Sequence, residues 1–459
     1  MENEKIILSE KLHNRFSWYG IYSSKIRGIF RKIIWYLLIP GTQLTKRLLD
    51  LLLALLFLIL YSPAIILIVQ WLVITKQEIF SVKLKYGRYC EPFHELSFNI
   101  PDTLFGRFFK FFGTDKSALL INILKGEMSF VGPRAALINE LTPEEIKNRQ
   151  HYDIKPGLIC LWWVRSRANI SFDSEIESDK EYMEKSGLMT DIGIAFRALP
   201  VLLYGGQDWE APEKIQILGI QIDNLTMNEA ISKLLSWVSL GNHAIVSFVN
   251  ADCANISAKD INYFHALNSS HLVLADGIGM KIAGKILAKN IRQNVNGTDL
   301  FPRILERLAV KGSSVYLFGG RPGVPEAVEN WIRENFPGVV ICGVRNGYFS
   351  PEEEPEIISE IFRRKPDVLF VAMGAPFQEK WLQKNFRATG AKIGMGVGGL
   401  FDFYSGRIQR APQWVREIGM EWFFRFWQEP GRLWKRYFVG NFTFLGRVIL
   451  ERLNLWKHF

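Results

Sequence analysis

Cysteine is scarce in this sequence, with four residues among 459. Cys90, Cys160, Cys253 and Cys342 lie far apart, and no Cys-x-x-Cys pair or Cys/His cluster occurs. This spacing indicates neither a zinc site nor a disulfide framework. Such cysteine usage fits a reduced cytosolic setting.

Other signatures are missing as well. The first residues, MENEKIILSEKLHNRF, carry charges of both signs and lack the apolar core of a signal peptide. There is no low-complexity tract and no repeat at solenoid spacing. The net charge of +10 suits an anionic partner, but no nucleic-acid recognition module occurs, so no nucleic acid is expected. Hydrophobic residues make up 48% and charged residues 22%, which leans toward a globular protein with a membrane-contacting part.

The most apolar stretch is KRLLDLLLALLFLILYSPAIILIVQWLVITK. A straight helix from Leu48 to Val73 would measure about 39 Å, which exceeds the ~30 Å hydrocarbon core of a bilayer. Pro63 interrupts the run and lacks an N–H, so we expect the helix to kink or break there. Lys46 and Arg47 before the run and Lys76 after it favour both ends on the cytoplasmic side. These features favour a re-entrant hairpin at 48–73, with a kinked span as the alternative.

The segment before this run, residues 1–44, is predicted to lie along a membrane surface. Basic residues fall largely off one helical face of SKIRGIFRKIIWYLLI, as in an interfacial helix on anionic lipid. An ordinary amphipathic core helix is the alternative. The apolar face comprises Ile26, Ile29, Phe30, Ile33 and Leu37.

The stretch YGGQDWEAPE, rich in Gly, Pro and acidic residues, separates two differently patterned regions. After it, apolar runs alternate with helical patterns, which predicts an α/β domain with a Rossmann-like parallel sheet covered on both faces. The runs are HAIVSFVN, HLVLADG, SSVYLFGG, VVICGVRNG, PDVLFVAMG and AKIGMGVGG. The predicted segments are an interfacial segment at 1–44, a mostly helical monotopic membrane domain at 45–204, a linker at 205–213, the α/β domain at 214–412 and an appendage at 413–459.

Most of these runs end in Gly, Asn or Asp, and ligands bind beyond the carboxyl ends of parallel strands. Asp276 ends one run, where a carboxylate can act as general base for a sugar hydroxyl. An Asp that caps the next helix is the alternative. Asn250 ends another run, Thr298 precedes a helix and Gln378 follows a run. Asp402 stands near a Gly pair that would let backbone amides approach phosphate.

With GAPFQEKW and GVGGLFDFYSGRIQRAP, the second half from about Lys214 to Phe444 resembles the WecG/TagA/CpsF family, glycosyltransferase family 26. The resemblance implies inverting, metal-independent transfer of an N-acetylmannosamine-type sugar from UDP to a polyprenyl-diphosphate-linked sugar. It implies that Asp276 is the base. Two positions differ from the family pattern: Phe248 stands where the family has a Thr, and Asn294 stands where it has an Arg. Because of these differences, the resemblance does not specify the exact donor sugar. The residues implied to line the UDP-sugar pocket are Asn250, Thr298, Tyr348, Gln378 and Asp402.

The C-terminal tail mixes Trp and Phe with Arg, a combination that suits a membrane interface. A core-packing helix with a solvated face is the alternative. The resemblance implies an appendage whose basic residues close the active site and hold diphosphate. Arg425 and Arg432 fall at those positions, and Lys435 stands where a third Arg is usual.

The first half, from about Thr45 to Tyr204, resembles the bacterial sugar transferases, which are monotopic polyprenyl-phosphate phosphoglycosyl transferases. It shares NILKGEMSFVGPR and IKPGLICLWW with them. In that family an Asp attacks the sugar-nucleotide phosphate with the help of magnesium. Asp115 matches this nucleophile, but Lys116 replaces the adjacent Glu, and Asn99 stands in place of an Arg. Since a hard cation needs the lost carboxylate, we interpret Asp115 as a remnant and expect Mg²⁺ only if this half is active.

The leading prediction is a UDP-sugar glycosyltransferase of cell-surface polysaccharide synthesis, with an inactive first half and no cofactor of its own. We expect it on the bacterial inner membrane with its active sites facing the cytosol. The expected partners are a UDP-N-acetylhexosamine donor and a polyprenyl-diphosphate-linked sugar acceptor, and a homo-oligomer is left open. A bifunctional enzyme and a non-catalytic membrane scaffold are the alternatives. The intact motifs around Asp276 and Gln378 argue against the scaffold.

Overall fold

The computed structural model describes residues 18–101, 103, 106, 109, 114–137, 153–168, 175–204 and 211–456, with side chains from residue 43 onward except at 202–204. The chain forms two compact units. The first comprises residues 1–163 and 173–196, and the second comprises residues 164–172 and 197–459.

In the described part of the chain before residue 205, short strands accompany helices, of which the longest has 57 residues. An antiparallel pair, β1 (Phe80–Tyr86) and β2 (Pro92–Phe98), and a parallel pair, β3 (Ser129–Val131) and β4 (Gly157–Ile159), are its strands. Its helices are α1 (Trp18–Ile74), α2 (Leu119–Lys125), α3 (Leu161–Ala168), α4 (Glu175–Glu184) and α5 (Leu188–Tyr204). Short 3₁₀ turns occupy Arg88–Cys90 and Thr114–Ala118.

Helix α1 is continuous through Pro63, so of the predicted kink or break the break is wrong, and the kink stays a prediction. The Ser62 hydroxyl donates to the carbonyl of Ile59 at 2.7 Å. That carbonyl is the one left without a donor by the missing N–H of Pro63, so the hydroxyl compensates for the loss. The path of the helix through a bilayer, hairpin or span, stays a prediction. The apolar face predicted at residues 26–37 lies outside the described side chains.

Polar side chains join the start of the apolar part of α1 to the rest of the first unit. Arg47 donates to the carbonyls of Ile123 (2.6 Å) and Leu124 (2.9 Å) near the C-terminal end of α2. The buried Asp50 accepts from the Ser129 hydroxyl at 2.8 Å and from the next backbone amide at 3.0 Å. These bonds fix α1 against the strand of the MSFVGPR motif.

A six-stranded sheet is the centre of the second unit, and every pairing in it is parallel. The strand order is β10-β9-β11-β12-β7-β8. The strands are β7 (Ala244–Val249), β8 (Leu272–Ala275), β9 (Ser314–Gly319), β10 (Val340–Arg345), β11 (Val368–Ala372) and β12 (Ile393–Gly396). All six fall within the predicted apolar runs, so the expected parallel sheet is confirmed. A separate antiparallel hairpin, β5 (Lys214–Ile217) and β6 (Ile220–Asp223), precedes the sheet.

Both faces of the sheet are covered by helices. Along β8, Leu272 and Leu274 belong to one apolar cluster, and Val273 and Ala275 belong to another, as the two-residue period of a strand requires. The helices are α6 (Met227–Leu240), α7 (Ala251–Ser257), α8 (Ile261–Asn268), α9 (Ile278–Ile286), α10 (Gly297–Val310), α11 (Val324–Asn335), α12 (Glu354–Arg364), α13 (Phe377–Thr389), α14 (Leu400–Tyr404), α15 (Gln413–Glu417), α16 (Glu421–Gln428), α17 (Pro430–Trp434) and α18 (Gly440–Arg452). A π-helical turn occupies Lys435–Val439 and a 3₁₀ turn Pro351–Glu353.

The last helix is part of the core of this unit. In α18, Phe444 and Val448 are buried in the cluster that also contains Val249 and Met280. Phe442, two residues before Phe444, is instead exposed. The appendage therefore has an apolar face packed against the sheet helices.

This contrast predicts different costs for two identical substitutions in α18. Phe444→Ala should lower the free energy of unfolding by about 3–5 kcal/mol, because it leaves a cavity where the ring is 1% exposed. Phe442→Ala, at a ring 77% exposed, should change it by no more than about 0.5 kcal/mol. Denaturant unfolding followed by circular dichroism measures both. Equal costs would contradict the packing of α18.

Candidate active site

An open cleft of about 370 Å³ lies beyond the carboxyl ends of β7 and β8. Its position matches the usual ligand site of a parallel α/β sheet. The side chains that line it come from the loops after these strands, from the start of α10 and from the appendage. Among them are Asn250, Asp252, Asp276, Lys281, Asn294, Asn296, Thr298, Phe403, Arg416, Glu421, Trp422, Arg425, Arg436 and Tyr437.

Asn250 is held in place as the cap of α7. Its side-chain oxygen accepts hydrogen bonds from the backbone amides of Asp252 (3.0 Å) and Cys253 (3.1 Å). These bonds satisfy two donors at the start of the helix. With the oxygen so engaged, the amide nitrogen is the group left to interact with Asp276, and the Asn250 side chain does lower the pKa of Asp276.

Asp276 follows β8 and does not cap the next helix. The residue at the cap of α9 is Gly277, which has a φ of 91° and makes no side-chain cap bond. Glycine suits this turn because other residues rarely adopt positive φ. The amide of Gly277 donates to the side-chain oxygen of Asn294 at 2.6 Å. The alternative function of Asp276 as a helix cap is therefore wrong.

The surroundings of Asp276 favour a carboxyl group that titrates near neutrality. Burial raises its pKa to about 6, Asn250 opposes the shift, Glu421 adds to it, and Arg436 and Arg425 oppose it. A carboxylate with a raised pKa is a stronger base than an ordinary Asp. Asp276 is thus suited to accept a proton.

Basic side chains outnumber acidic ones around the cleft. Arg436 pairs with Asp252, with Nε 3.1 Å from the carboxylate oxygen, and the Arg425 guanidinium lies over the Phe403 ring, 5.1 Å from its centroid. Lys281 is almost fully buried, and burial with the nearby charges of Lys285 and Arg167 lowers its pKa to about 8. The basic lining residues are Lys281, Arg416, Arg425 and Arg436, and the acidic ones are Asp252, Asp276 and Glu421. This excess suits an anionic ligand such as a diphosphate.

An ion-pair network holds the chain before α16 against α10. Arg410 pairs with Asp299 of α10 and, at 3.4 Å, with Glu421 of α16. Arg416 lies 3.9 Å from the same Asp299 carboxylate. Burial alone would raise the pKa of Asp299, but Arg410 lowers it overall, so this carboxylate is charged in the fold. The network fixes the start of the appendage beside the cleft.

Comparison with known proteins gives two family matches. Residues 215–458 match the glycosyl transferase WecG/TagA/CpsF family, and residues 101–205 match the bacterial sugar transferases. The first match covers more than half of the chain. The chain belongs to the WecG/TagA/CpsF family. It is therefore a glycosyltransferase, and both predicted resemblances are confirmed.

Several curated members of the WecG/TagA/CpsF family are similar to this chain. An N-acetylglucosaminyldiphosphoundecaprenol N-acetyl-beta-D-mannosaminyltransferase of Bacillus subtilis is 34% identical over 194 residues, which cover 42% of this chain and 74% of that protein. A protein of the same name from Bacillus spizizenii is 30% identical over 201 residues, covering 44% and 77%. One from Staphylococcus aureus is 28% identical over 225 residues, covering 48% and 88%.

The structure brings only some of the residues predicted for a WecG/TagA/CpsF site to the cleft. Asn250, Thr298, Asp276 and Arg425 line it. Gln378 is buried elsewhere. Its oxygen accepts from the amides of residues 374 (3.1 Å) and 398 (2.8 Å), and its nitrogen donates to Glu379 at 2.7 Å. Gln378 thus joins the loops after β11 and β12.

Four other predicted residues lie outside the cleft lining. Tyr348 is exposed after β10. Asp402 pairs with Arg407 at 2.7 Å, next to the lining residue Phe403. Arg432 is exposed and pairs with Glu429 of the same segment at 3.2 Å. Lys435 is exposed in the π-helical turn.

Sequence reasoning missed three basic lining residues, Lys281, Arg416 and Arg436. Arg436 directly follows Lys435, and its side chain turns to the cleft while Lys435 is exposed. For Lys281, in α9, there was no signal, and for Arg416 and Arg436 the signal available was the number of basic residues in the tail. Which of them reach the cleft depends on the helical phase of residues 413–439, which periodicity alone does not determine.

Asp115, in the first unit, lies in the 3₁₀ turn that precedes α2 and is partly exposed, with Lys116 exposed beside it. Asn99, which stands for the family's Arg, is exposed just after β2. The described residues include no group of three His, Cys, Asp or Glu side chains placed to hold a metal ion. Among the described residues, Lys116 places a positive charge next to the Asp115 carboxylate, and this charge opposes the binding of magnesium there.

Gly399 gives a direct test of the position of Arg425. A Cβ at residue 399 would lie 2.7 Å from Nη2 of Arg425, and the glycine has an ordinary φ of −82°. Gly399→Ala should therefore displace the flexible guanidinium without straining the backbone. We expect sugar transfer to fall by about tenfold to a hundredfold, since small misplacements in an active site cost that much.

The control for this variant is Gly446→Ala, because nothing lies within 4 Å of a Cβ at residue 446. Its transfer rate should match that of the unmodified protein, and Arg425→Ala should match or exceed the loss in Gly399→Ala. Full activity in Gly399→Ala together with loss in Arg425→Ala would show that the placement of Arg425 against the glycine is unimportant.

Proposed function

We propose that this chain transfers an N-acetylmannosamine-type sugar from a UDP-sugar to a polyprenyl-diphosphate-linked sugar, with inversion of the anomeric centre. The observation that carries the proposal is Asp276, a carboxyl group of raised pKa set among the basic residues of the cleft. The printed names of the relatives support the choice of sugar and acceptor, since they are N-acetylmannosaminyltransferases acting on N-acetylglucosaminyl-diphosphoundecaprenol.

In the proposed reaction, Asp276 accepts the proton of an acceptor hydroxyl as its oxygen attacks the anomeric carbon. The bond from that carbon to the UDP oxygen breaks, and UDP leaves with the bonding electron pair. A single displacement of this kind inverts the anomeric centre. The basic groups of Arg425, Arg436 and Lys281 would stabilise charge that develops on the leaving diphosphate. No metal ion takes part in the proposed reaction.

The first unit would hold the enzyme at the bacterial inner membrane, with its active site facing the cytosol. Among the described residues, Gln43–Ile74 is long and apolar enough to cross a membrane. Many of its apolar side chains, including Leu52, Ile59 and Leu60, are exposed, which is unfavourable in water. Basic residues at both ends of the run favour the cytosolic side. The acceptor, a lipid-linked sugar, would be present in the same bilayer.

We also infer that the first unit no longer performs phosphoglycosyl transfer. That reaction needs a nucleophile, a metal ion and charge stabilisation at the diphosphate. Asp115 could serve as the first, but Lys116 opposes the second, and Asn99 lacks the charge expected for the third. In the remaining alternative, a bifunctional enzyme, Asp115 would form the lipid-linked sugar that the second unit extends.

Asp276→Asn is the principal test of the proposed base. The amide is nearly the same shape but cannot take a proton, so transfer should fall by about 10²–10⁴-fold while UDP binding is kept. The assay is mass detection of the extended lipid after incubation with UDP-N-acetylmannosamine and polyprenyl-diphosphate-N-acetylglucosamine. Asp260→Asn is the control, since Asp260 caps α8 and Asn caps as well as Asp. Near-normal turnover in Asp276→Asn would exclude the base role.

The pH dependence has a defined sign. The base must be ionised, so activity should fall as the pH decreases through about 6, the pKa of Asp276.

The raised pKa of Asp276 also makes protein stability depend on pH. A carboxyl group whose pKa is higher in the folded state contributes to the stability of the protein at low pH, and this contribution is lost as the pH rises through the folded-state pKa. Asp276→Asn should therefore unfold at a higher temperature than the unmodified protein at pH 8.

The inactive first unit predicts no release of UMP from any UDP-sugar when polyprenyl phosphate is the sole acceptor. Asp115→Asn should leave transfer to preformed lipid-linked sugar almost unchanged, because Asp115 takes no part in that step. Luminescent UMP detection measures the first outcome and lipid mass the second. Release of UMP that disappears in Asp115→Asn would establish the bifunctional alternative instead.

A further inference from the structure

A short stretch of the bacterial sugar transferase match belongs structurally to the glycosyltransferase unit. Residues 101–205 match the bacterial sugar transferases, whereas the WecG/TagA/CpsF match begins at residue 215. Yet residues 164–172 and the part of α5 from Arg197 onward group with the second unit. This unit thus contains chain that its own family match does not include.

Two arginines from that stretch meet one buried carboxylate of the appendage. Glu417, at the end of α15, is 0% exposed. One of its oxygens accepts from Nε of Arg165 at 2.9 Å, and the other accepts from Nη1 of Arg197 at 2.9 Å. Arg165 is itself buried. A carboxylate removed from water in this way depends on its partners, because an uncompensated buried charge is strongly unfavourable.

Glu417 lies within the segment that forms one wall of the cleft. Arg416 precedes it directly, and Glu421 and Arg425 follow it on α16, and all three line the cleft. Ala168, one helical turn after Arg165 in α3, lines the cleft too. The arginine pair therefore contacts the same segment that supplies Arg416 and Arg425 to the cleft.

We propose that Arg165 and Arg197 are positioning residues of the glycosyltransferase cleft, which hold residues 413–425 in place through Glu417. This positioning role rests on the proposed function, because the anionic substrates that the cleft would bind are those of the proposed sugar transfer. The sugar transferase-like region would take part in binding them through its two arginines. The region then has a second task besides membrane attachment. Its arginines complete a site whose reacting groups all lie elsewhere in the chain.

The test uses the full-length protein with Arg165→Gln, Glu417→Gln and the double variant. Arg165→Gln leaves the Glu417 carboxylate short of one partner, so amide hydrogen exchange in residues 413–425 should accelerate. The kcat/KM for sugar transfer should fall by about tenfold to a hundredfold, mainly through kcat, because Arg425 of this segment stabilises the leaving diphosphate in the proposed reaction. The double variant should recover part of both losses, because Glu417→Gln removes the buried charge. Arg165→Lys, which keeps the charge, should lose less than Arg165→Gln.

Arg333→Gln is the matched control, because Arg333 makes an ion pair with Glu329 on the surface of α11. It should leave both measurements unchanged. If Arg165→Gln does not fold, Arg197→Gln takes its place, since that arginine side chain is 28% exposed. Exchange and kcat/KM equal to those of Arg333→Gln would overturn the proposal, and so would a double variant no better than the single one.

Hydrogen exchange separates this inference from the proposed function. If the unmodified protein fails to transfer N-acetylmannosamine, the proposed function is wrong in its substrate. Faster exchange confined to residues 413–425 in Arg165→Gln would then still support the positioning of that segment, and unchanged exchange would overturn it.

Discussion

The parallel direction of six strands is the constraint on which the second unit depends. Since all strands point the same way, the residues that follow them emerge at one edge of the sheet. Val249 of β7 is paired with Ala275 of β8, so the next residues, Asn250 and Asp276, leave the sheet side by side. The strand pairing alone thereby places the Asn250 amide and the Asp276 carboxyl group in one cleft.

Opposing electrostatic effects set the pKa of Asp276 in this cleft. Burial raises the pKa of Asp276, while Arg436 and Arg425 hold it down. In the proposed reaction, the same arginines would also stabilise the charge of the leaving diphosphate. The two proposed roles would therefore compete, because cations near the Asp276 carboxylate make it a weaker base. The pKa of about 6 reflects this compromise.

The sequence allowed the sheet, both family relationships and the strand-end residues Asn250 and Asp276 to be predicted, because each rests on a local pattern. It did not predict the continuity of α1, since that depends on the hydroxyl of Ser62 replacing a lost donor. Nor did it distinguish Arg436, in the cleft, from Lys435 beside it. Which face of a tail helix meets the cleft is decided by distant packing, such as the burial of Phe444.

The burial of Glu417 between Arg165 and Arg197 also bears on how this protein can be rearranged. The predicted linker at residues 205–213, which is rich in Gly, Pro and acidic residues, would be the obvious fusion point for exchanging domains between related enzymes. A chimera cut there would separate both arginines from their carboxylate and leave a buried negative charge behind. The segment that can be exchanged without leaving this charge unpaired is therefore larger than the WecG/TagA/CpsF match, because it must include Arg165 and Arg197 together with Glu417.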